Sequence, residues 1–185
     1  MKKSSKNIAF ILLLLHFGLY GQNNSKVISR QGQVSFFSYT SVENIEATNN
    51  QVLSIINKEN GDIAVQMLLR AFVFKKALME EHFNESYVES DLYPKLTFNG
   101  KLINYRRLED TDSPKFIKGI MDFHGVKKEV EIKTIIETAA DAIVLSGDLE
   151  VAIDDFNIKV PPLLRPNISK DIKVTFKLKY LPYEE

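Results

Sequence analysis

From Gly32 onward, apolar and polar residues alternate along most of this chain. The last run, DIKVTFKLKYL, shows it best. Ile172, Val174, Phe176, Leu178 and Tyr180 share one face, and Lys173, Thr175, Lys177 and Lys179 the other. Successive side chains of a strand point to opposite faces, so one greasy and one charged face at period two predicts a half-buried antiparallel strand. The same pattern runs through Ile143, Leu145, Gly147, Leu149, Val151 and Ile153, through Val130, Ile132 and Thr134, and through Ile117, Gly119, Met121 and Phe123. Shorter runs carry Leu96 with Phe98 and Val34 with Phe36. Turn chemistry punctuates them: Asn60-Gly61-Asp62 and His124-Gly125 suit hairpins, and residues 108–114 (LEDTDSP) read as a polar loop. This rhythm predicts an all-β sandwich or barrel. The strand count is eight or nine, depending on whether SVENIEATNNQVLSIIN is one bent strand or two.

Two places break the alternation. In FKKALMEEHFNES, Leu78, Met79, His82 and Phe83 recur at spacings of three and four, which predicts an amphipathic helix of two or three turns between Phe74 and Lys95. Just before it the phase slips: Ile63, Val65 and Met67 share one parity, and Phe72 and Phe74 have the other. An irregularity near Leu68–Arg70, of the bulge type that bends barrel strands, accounts for this.

The N-terminus follows a different rule. Lys2, Lys3 and Lys6 precede the apolar run IAFILLLLHFGLY, ending at Gly21, and residues 1–21 read as a removable secretory signal peptide. The run is shorter than the ~20 residues of a membrane-spanning helix, and His16 interrupts it. What remains, 22–185, is one domain long enough to bury its own core. The chain has no cysteine, so neither a lipid-modified N-terminus nor a disulfide is available. Basic and acidic residues number 24 each, and loss of the three leader lysines leaves a formal charge of −3. No basic stripe marks a nucleic-acid partner.

Candidate chemistry is sparse. His82 beside Glu81 and Glu85 raises a metal site, but on a helix Glu81 points elsewhere, and His124 at a hairpin end is the only other histidine after the leader. His82 is better read as a polar residue tying the helix end to nearby backbone. Asp154-Asp155 and the cluster Glu109, Asp110 and Asp112 fall in turn-like sequence, where carboxylates are solvated and not held apart in pKa. No serine sits in a G-x-S-x-G elbow, and Gly147 lies in a strand instead of a phosphate-cradling loop.

Three blocks in order resemble the YceI-like family, the lipocalin-like barrels known as polyisoprenoid-binding proteins. FVFKKALMEEHFNESYVESDLYPKLTFNG is similar to its helix-to-strand signature, with a His-Phe pair, an extended link and a Tyr-Pro step. IKGIMDFHGVKKEVEI resembles its Gly-x-Leu-x-Ile-His-Gly-Val-x-Lys hairpin, and LSGDLEVAIDDFNI its closing strand and Asp-Phe-Gly-Ile turn. With GQVSFFSYTSVENIEATNN the likeness covers nearly all of 27–182. The HFNE and IKVPPLL variants look like those of Bacteroidetes-type members. Asn157 replaces the glycine of the turn, and Asn also tolerates positive φ.

The resemblance implies a closed, antiparallel, eight-stranded lipocalin-like barrel with one short helix between strands. It implies a periplasmic or secreted protein that encloses a polyisoprenoid or similar long-chain amphiphilic lipid, with no enzymatic activity, cofactor or metal. On that reading the inner faces put Phe36, Met67, Phe98, Met121, Phe123, Leu145, Leu149 and Phe176 against the lipid, with Phe72, Phe74, Met79 and Phe83 at the helix-covered end. Flexible Met and flat Phe suit a hydrocarbon chain, and the inward Gly119, Gly147, Thr134 and Ser38 are expected to leave room for it. An eight-stranded barrel is either filled by its own side chains or holds one small ligand. The alternative is therefore a packed barrel, a non-catalytic interaction module working through loops such as IKVPPLLRPN. A homodimer is left open. His82, Phe83 and Tyr93-Pro94 read as the seam where the helix caps the barrel and Pro94 enters the next strand, since a strand's first residue need not donate to the ladder.

Overall fold

A computed structural model describes residues 25–40, 43–108, 114–139, 142–162 and 168–183. The signal-peptide reading of 1–21, the acidic cluster at 109–112 and part of the IKVPPLLRPN loop lie outside the described residues. Among those described, the strands are β1 (Lys26–Ser38), β2 (Ile45–Asn57), β3 (Asp62–Leu68), β4 (Phe72–Phe74), β5 (Lys95–Leu102), β6 (Lys115–Phe123), β7 (Val126–Ala139), β8 (Ala142–Ala152) and β9 (Asp171–Pro182). Helix α1 (Ala77–His82) runs directly into a π-helical turn, Phe83–Tyr87.

Every strand pairing is antiparallel. The order is β1-β9-β8-β7-β6-β5-β3-β2, and β2 pairs back onto β1, so eight strands close a barrel. The ninth, β4, is three residues long and pairs with β2 at Ala47–Asn49, beyond the β3 segment of the same strand. β3 and β4 are in effect one barrel strand. A single 3₁₀ turn at Leu69–Ala71 separates them and flips the inward parity from Met67 to Phe72, where the slip in phase called for an irregularity.

The uncertain second strand is one strand with a bend. Between Val52 and Asn49 its register against β1 shifts, and inward parity changes across Asn50–Gln51. Asn49, fully buried, pins this bulge. Its Oδ1 accepts from the Gln51 backbone N–H at 2.8 Å, and its Nδ2 donates to the Leu68 carbonyl at 2.9 Å. One side chain thus joins the bend in β2 to the 3₁₀ turn after β3.

The hairpin chemistry behaves as its residues require. His124 (φ 51°) and Gly125 (φ 74°) form the two-residue loop between β6 and β7, the geometry of a primed turn. Asn157 takes the left-handed conformation (φ 56°, ψ 24°) that ends a 3₁₀ turn at Ile153–Phe156.

The interior is divided lengthwise. At the end bearing the β2–β3 turn, Val27, Ile56, Leu102, Ile117, Ile136 and Tyr180 fill the lumen completely. Tyr180 is 1% exposed, and its hydroxyl meets the Ser54 hydroxyl at 2.7 Å. Burial pushes that phenol pKa far above its ordinary range, while the Ser54 contact pulls it back. Ser54 in turn donates to the Ala64 carbonyl at 3.0 Å, so the Tyr180 and Ser54 hydroxyls are both satisfied inside the plug, while the Ser29 hydroxyl opposite Ser54 is buried without a partner. Each large apolar side chain buried there contributes about 1.5–3 kcal/mol relative to exposure.

Gly119 and Gly147 do not leave room in the lumen, contrary to expectation, because aromatic rings lie against them. A Cβ on Gly119 would stand 2.3 Å from the Asn99 carbonyl oxygen and 2.8 Å from Phe98 Cζ; one on Gly147 would stand 2.5 Å from the Lys133 carbonyl oxygen and 2.8 Å from Phe176 Cζ. The bare backbone lets each ring lie flat across a neighbouring strand. Thr134, the third of the expected space-makers, is fully buried and donates to the Lys115 carbonyl at 3.0 Å. Gly119→Ala is expected to lower stability by about 1–3 kcal/mol, because the carbonyl it meets belongs to the ladder and has nowhere to retreat. Urea unfolding measures this, and an unchanged midpoint would show that the ring needs no bare backbone beneath it.

Candidate functional site

The other half of the barrel is hollow. A cavity of about 630 Å³ occupies the end where β1, β3, β6 and β8 finish, under α1 and beside the 3₁₀ turn after β8. The eight side chains expected on the inner faces and the four expected at the helix-covered end all line it. Met67, Phe98, Met121 and Phe123 form one wall, Leu145, Leu149 and Phe176 the opposite one, and Phe36, Phe72, Phe74, Met79 and Phe83 the end beneath the helix.

That end is built from stacked rings. Phe36 lies parallel to Phe83 at 5.5 Å between centroids and meets Phe72 edge-on at 5.3 Å; Phe74 sits 5.1 Å from Phe83. Aromatic pairs in these geometries contribute about 0.5–1.5 kcal/mol each beyond the area they bury. The 3₁₀ turn at Leu69–Ala71 makes the cluster possible, because without its parity flip Phe72 and Phe74 would face solvent. α1 contributes Met79, and the π-helical turn contributes Phe83. Leu78, on the same helix, is 60% exposed at the rim.

Several lining residues escaped the sequence reading. Val34, Ile45, Val65, Leu96, Val174 and Leu178 complete the strand walls, and Ile153, Ile158 and Val160 cover one side from the segment after β8. The signal for the last group was present: Phe156, Ile158 and Val160 continue the period-two pattern past the end of the strand. Polar wall atoms are few. Ser38, Thr40 and Glu43 lie on the β1–β2 side of the rim, with His82 and Tyr87 on the helix side. Burial raises the Tyr87 pKa. Thr40 Oγ1 donates to the Glu43 carbonyl (2.6 Å) and accepts from the Glu43 N–H (2.9 Å), and the Glu43 carboxylate takes a 2.6 Å ion pair from Lys76, which precedes α1.

The seam differs from expectation in one residue. His82 stands exposed at the rim, and the helix end is held by Asn84, whose Nδ2 donates to the Glu80 carbonyl at 2.9 Å. His124 is the structural histidine. It is 9% exposed, with Nδ1 2.9 Å from the Phe156 carbonyl, Nε2 3.0 Å from the Glu89 carboxylate, and its ring 4.5 Å from that of Tyr93. It thereby joins the β6–β7 hairpin, the turn after β8 and the segment entering β5. Pro94 stands immediately before β5, and its carbonyl accepts from Leu69 N–H at 3.0 Å. Asp155 is ion-paired with Lys128, and no group of three His, Asp or Glu side chains among the described residues is placed to hold a metal.

A closed antiparallel barrel, plugged at one end and open to an apolar cavity at the other, defines the lipocalin-like class. The chain belongs to the YceI-like domain family, whose model matches residues 21–180. Its backbone is similar to the crystal structure of Burkholderia cenocepacia BcnA, with a TM-score of 0.70 at 12% identity over 80% of this chain and 95% of that one. A polyisoprenoid-binding domain from Saccharophagus degradans, implicated in plant cell wall breakdown, also gives 0.70, at 13% identity over 86% and 99%. The Campylobacter jejuni YceI protein gives 0.64 at 14% identity over the whole of both chains. At these identities the likeness is one of fold. No curated protein matches.

His124→Ala is expected to cost about 1–3 kcal/mol, because it strands the carbonyl of the buried Phe156, while His82→Ala at the exposed rim stays within about 0.5 kcal/mol. Thermal or urea unfolding of the two variants side by side checks which histidine holds the fold.

Proposed function

We propose that this protein is an exported, non-catalytic carrier that sequesters a polyisoprenoid or similar long-chain amphiphilic lipid inside its barrel. The observation that carries this reading is the half-hollow lumen, about 630 Å³ walled almost entirely by Phe, Met, Leu, Ile and Val. Ligand pockets fall in the range of roughly 300–1,000 Å³, and apolar walls with few polar groups select apolar ligands. The affinity comes from taking methylenes out of water, at about 0.8 kcal/mol each. The plug around Tyr180 makes the cavity a blind pouch, which suits holding a tail.

Two further observations support the reading. The Saccharophagus domain of the same fold binds polyisoprenoid. The family match begins at residue 21, leaving the N-terminal apolar run ahead of the domain, as an export signal requires. The lipid partner enters and leaves at the end covered by α1, the π-helical turn and the segment after β8, opposite the plug.

Native mass spectrometry of protein purified gently from its own host is expected to show a co-purifying lipid mass, which organic extraction removes. Met121 faces the cavity from β6, so Met121→Trp is expected to fill part of the pouch and lower lipid retention at least tenfold, with thermal stability unchanged. Apo mass alone in the wild type, or full retention in Met121→Trp, would count against an interior site.

A further inference from the structure

Ser38 is the last residue of β1, on the inward parity of Val34 and Phe36, and it lines the cavity at the rim. It is 2% exposed, and its hydroxyl is buried without a hydrogen-bond partner. Buried hydroxyls are nearly always paired, and an orphan costs about 1–3 kcal/mol. The nearby Thr40 hydroxyl is turned to the Glu43 backbone, donating its proton to the Glu43 carbonyl and accepting from the Glu43 N–H. A serine hydroxyl changes direction by a χ1 rotation between staggered wells, and it both donates and accepts.

We propose that Ser38 is the head-group subsite of the pouch: it hydrogen-bonds the uncharged polar end of the bound amphiphile (a hydroxyl, carbonyl or amide) at the rim, while the tail runs inward toward the plug. This rests on the lipid-carrier reading above and adds the polarity and direction of the ligand. Charge supports the uncharged head. Among the described residues lining the cavity there is no Lys or Arg, and the one carboxylate, Glu43, already holds Lys76. Helix α1 adds Glu80 and Glu81 nearby. A phosphorylated head would bring roughly two negative charges to this rim, where the described wall residues offer no Lys or Arg and only the exposed His82 as a basic group. Position also sets the direction: of the buried polar side-chain atoms without a partner among the described residues, on Ser29, Ser38 and Asn84, only that of Ser38 lines the cavity, and it does so at the open end.

The test measures retention of three probes by equilibrium dialysis: geranylgeraniol, the same hydrocarbon without its hydroxyl, and geranylgeranyl diphosphate. Wild type is expected to hold the alcohol roughly fivefold more tightly than the hydrocarbon, the contribution of one neutral hydrogen bond, and more tightly than the diphosphate. Ser38→Ala is expected to erase the preference for alcohol over hydrocarbon, leave hydrocarbon retention unchanged, and keep or raise the thermal midpoint, since it removes an orphan. A preference that survives in Ser38→Ala, or a diphosphate held tightest, overturns the subsite. Hydrocarbon and alcohol held equally by wild type sink the subsite and leave the carrier reading standing. Failure to retain any of the three sinks both.

Discussion

Closure of the hydrogen-bond ladder is the constraint on which everything else in this protein rests. β1 pairs with β9 on one side and with β2 on the other, so the eight-strand ring is closed and only the three-residue β4 ends the sheet. Once eight strands close, the diameter of the lumen is set by backbone geometry and not by the side chains within it. What remains for the sequence to determine is how much of that fixed volume it fills. The bends that closure demands fall at identifiable residues: the bulge at Asn49–Gln51, the 3₁₀ turn at Leu69–Ala71, and the glycines at 119 and 147 where rings cross a neighbouring strand.

The two halves of the lumen obey the same alternation and end differently because of side-chain size and chain coverage. β9 shows this within one strand: Tyr180 is locked into the plug by Ser54, while Val174 and Phe176, four to six residues earlier, face the cavity. Rigidity in one half suits hollowness in the other. A pouch with a solid floor keeps its shape because its strands are held by the packed end. The open end is covered by short, less regular pieces: a helix of under two turns, a π-helical turn and the segment after β8, joined by His124 and the Glu43–Lys76 pair.

Much of this was legible in the residues. Period-two alternation identified most of the long strands, with β2 left as one bent strand or two, the slip between Met67 and Phe72 located the break that became a 3₁₀ turn, and inward parity together with the helix pattern collected twelve side chains that do meet in one cavity. Two readings failed for reasons no local pattern carries. Gly119 and Gly147 looked like space and are covered by Phe98 and Phe176, because the rings come from neighbouring strands whose register is a tertiary fact. His82 looked like the tie and is exposed, whereas His124, which looked like ordinary turn chemistry, has both ring nitrogens on acceptors distant in sequence.

By itself the sequence determined which residues form strands, which face of each is greasy and where the chain turns, since these follow from periods of two and from backbone preferences one residue at a time. Only the tertiary structure decided that the lumen is plugged around Tyr180 and hollow around Met121, and that the Ser38 hydroxyl is left over at the rim. Filling and satisfaction are properties of side chains meeting across a closed sheet, and those meetings depend on register and curvature that no stretch of chain encodes alone.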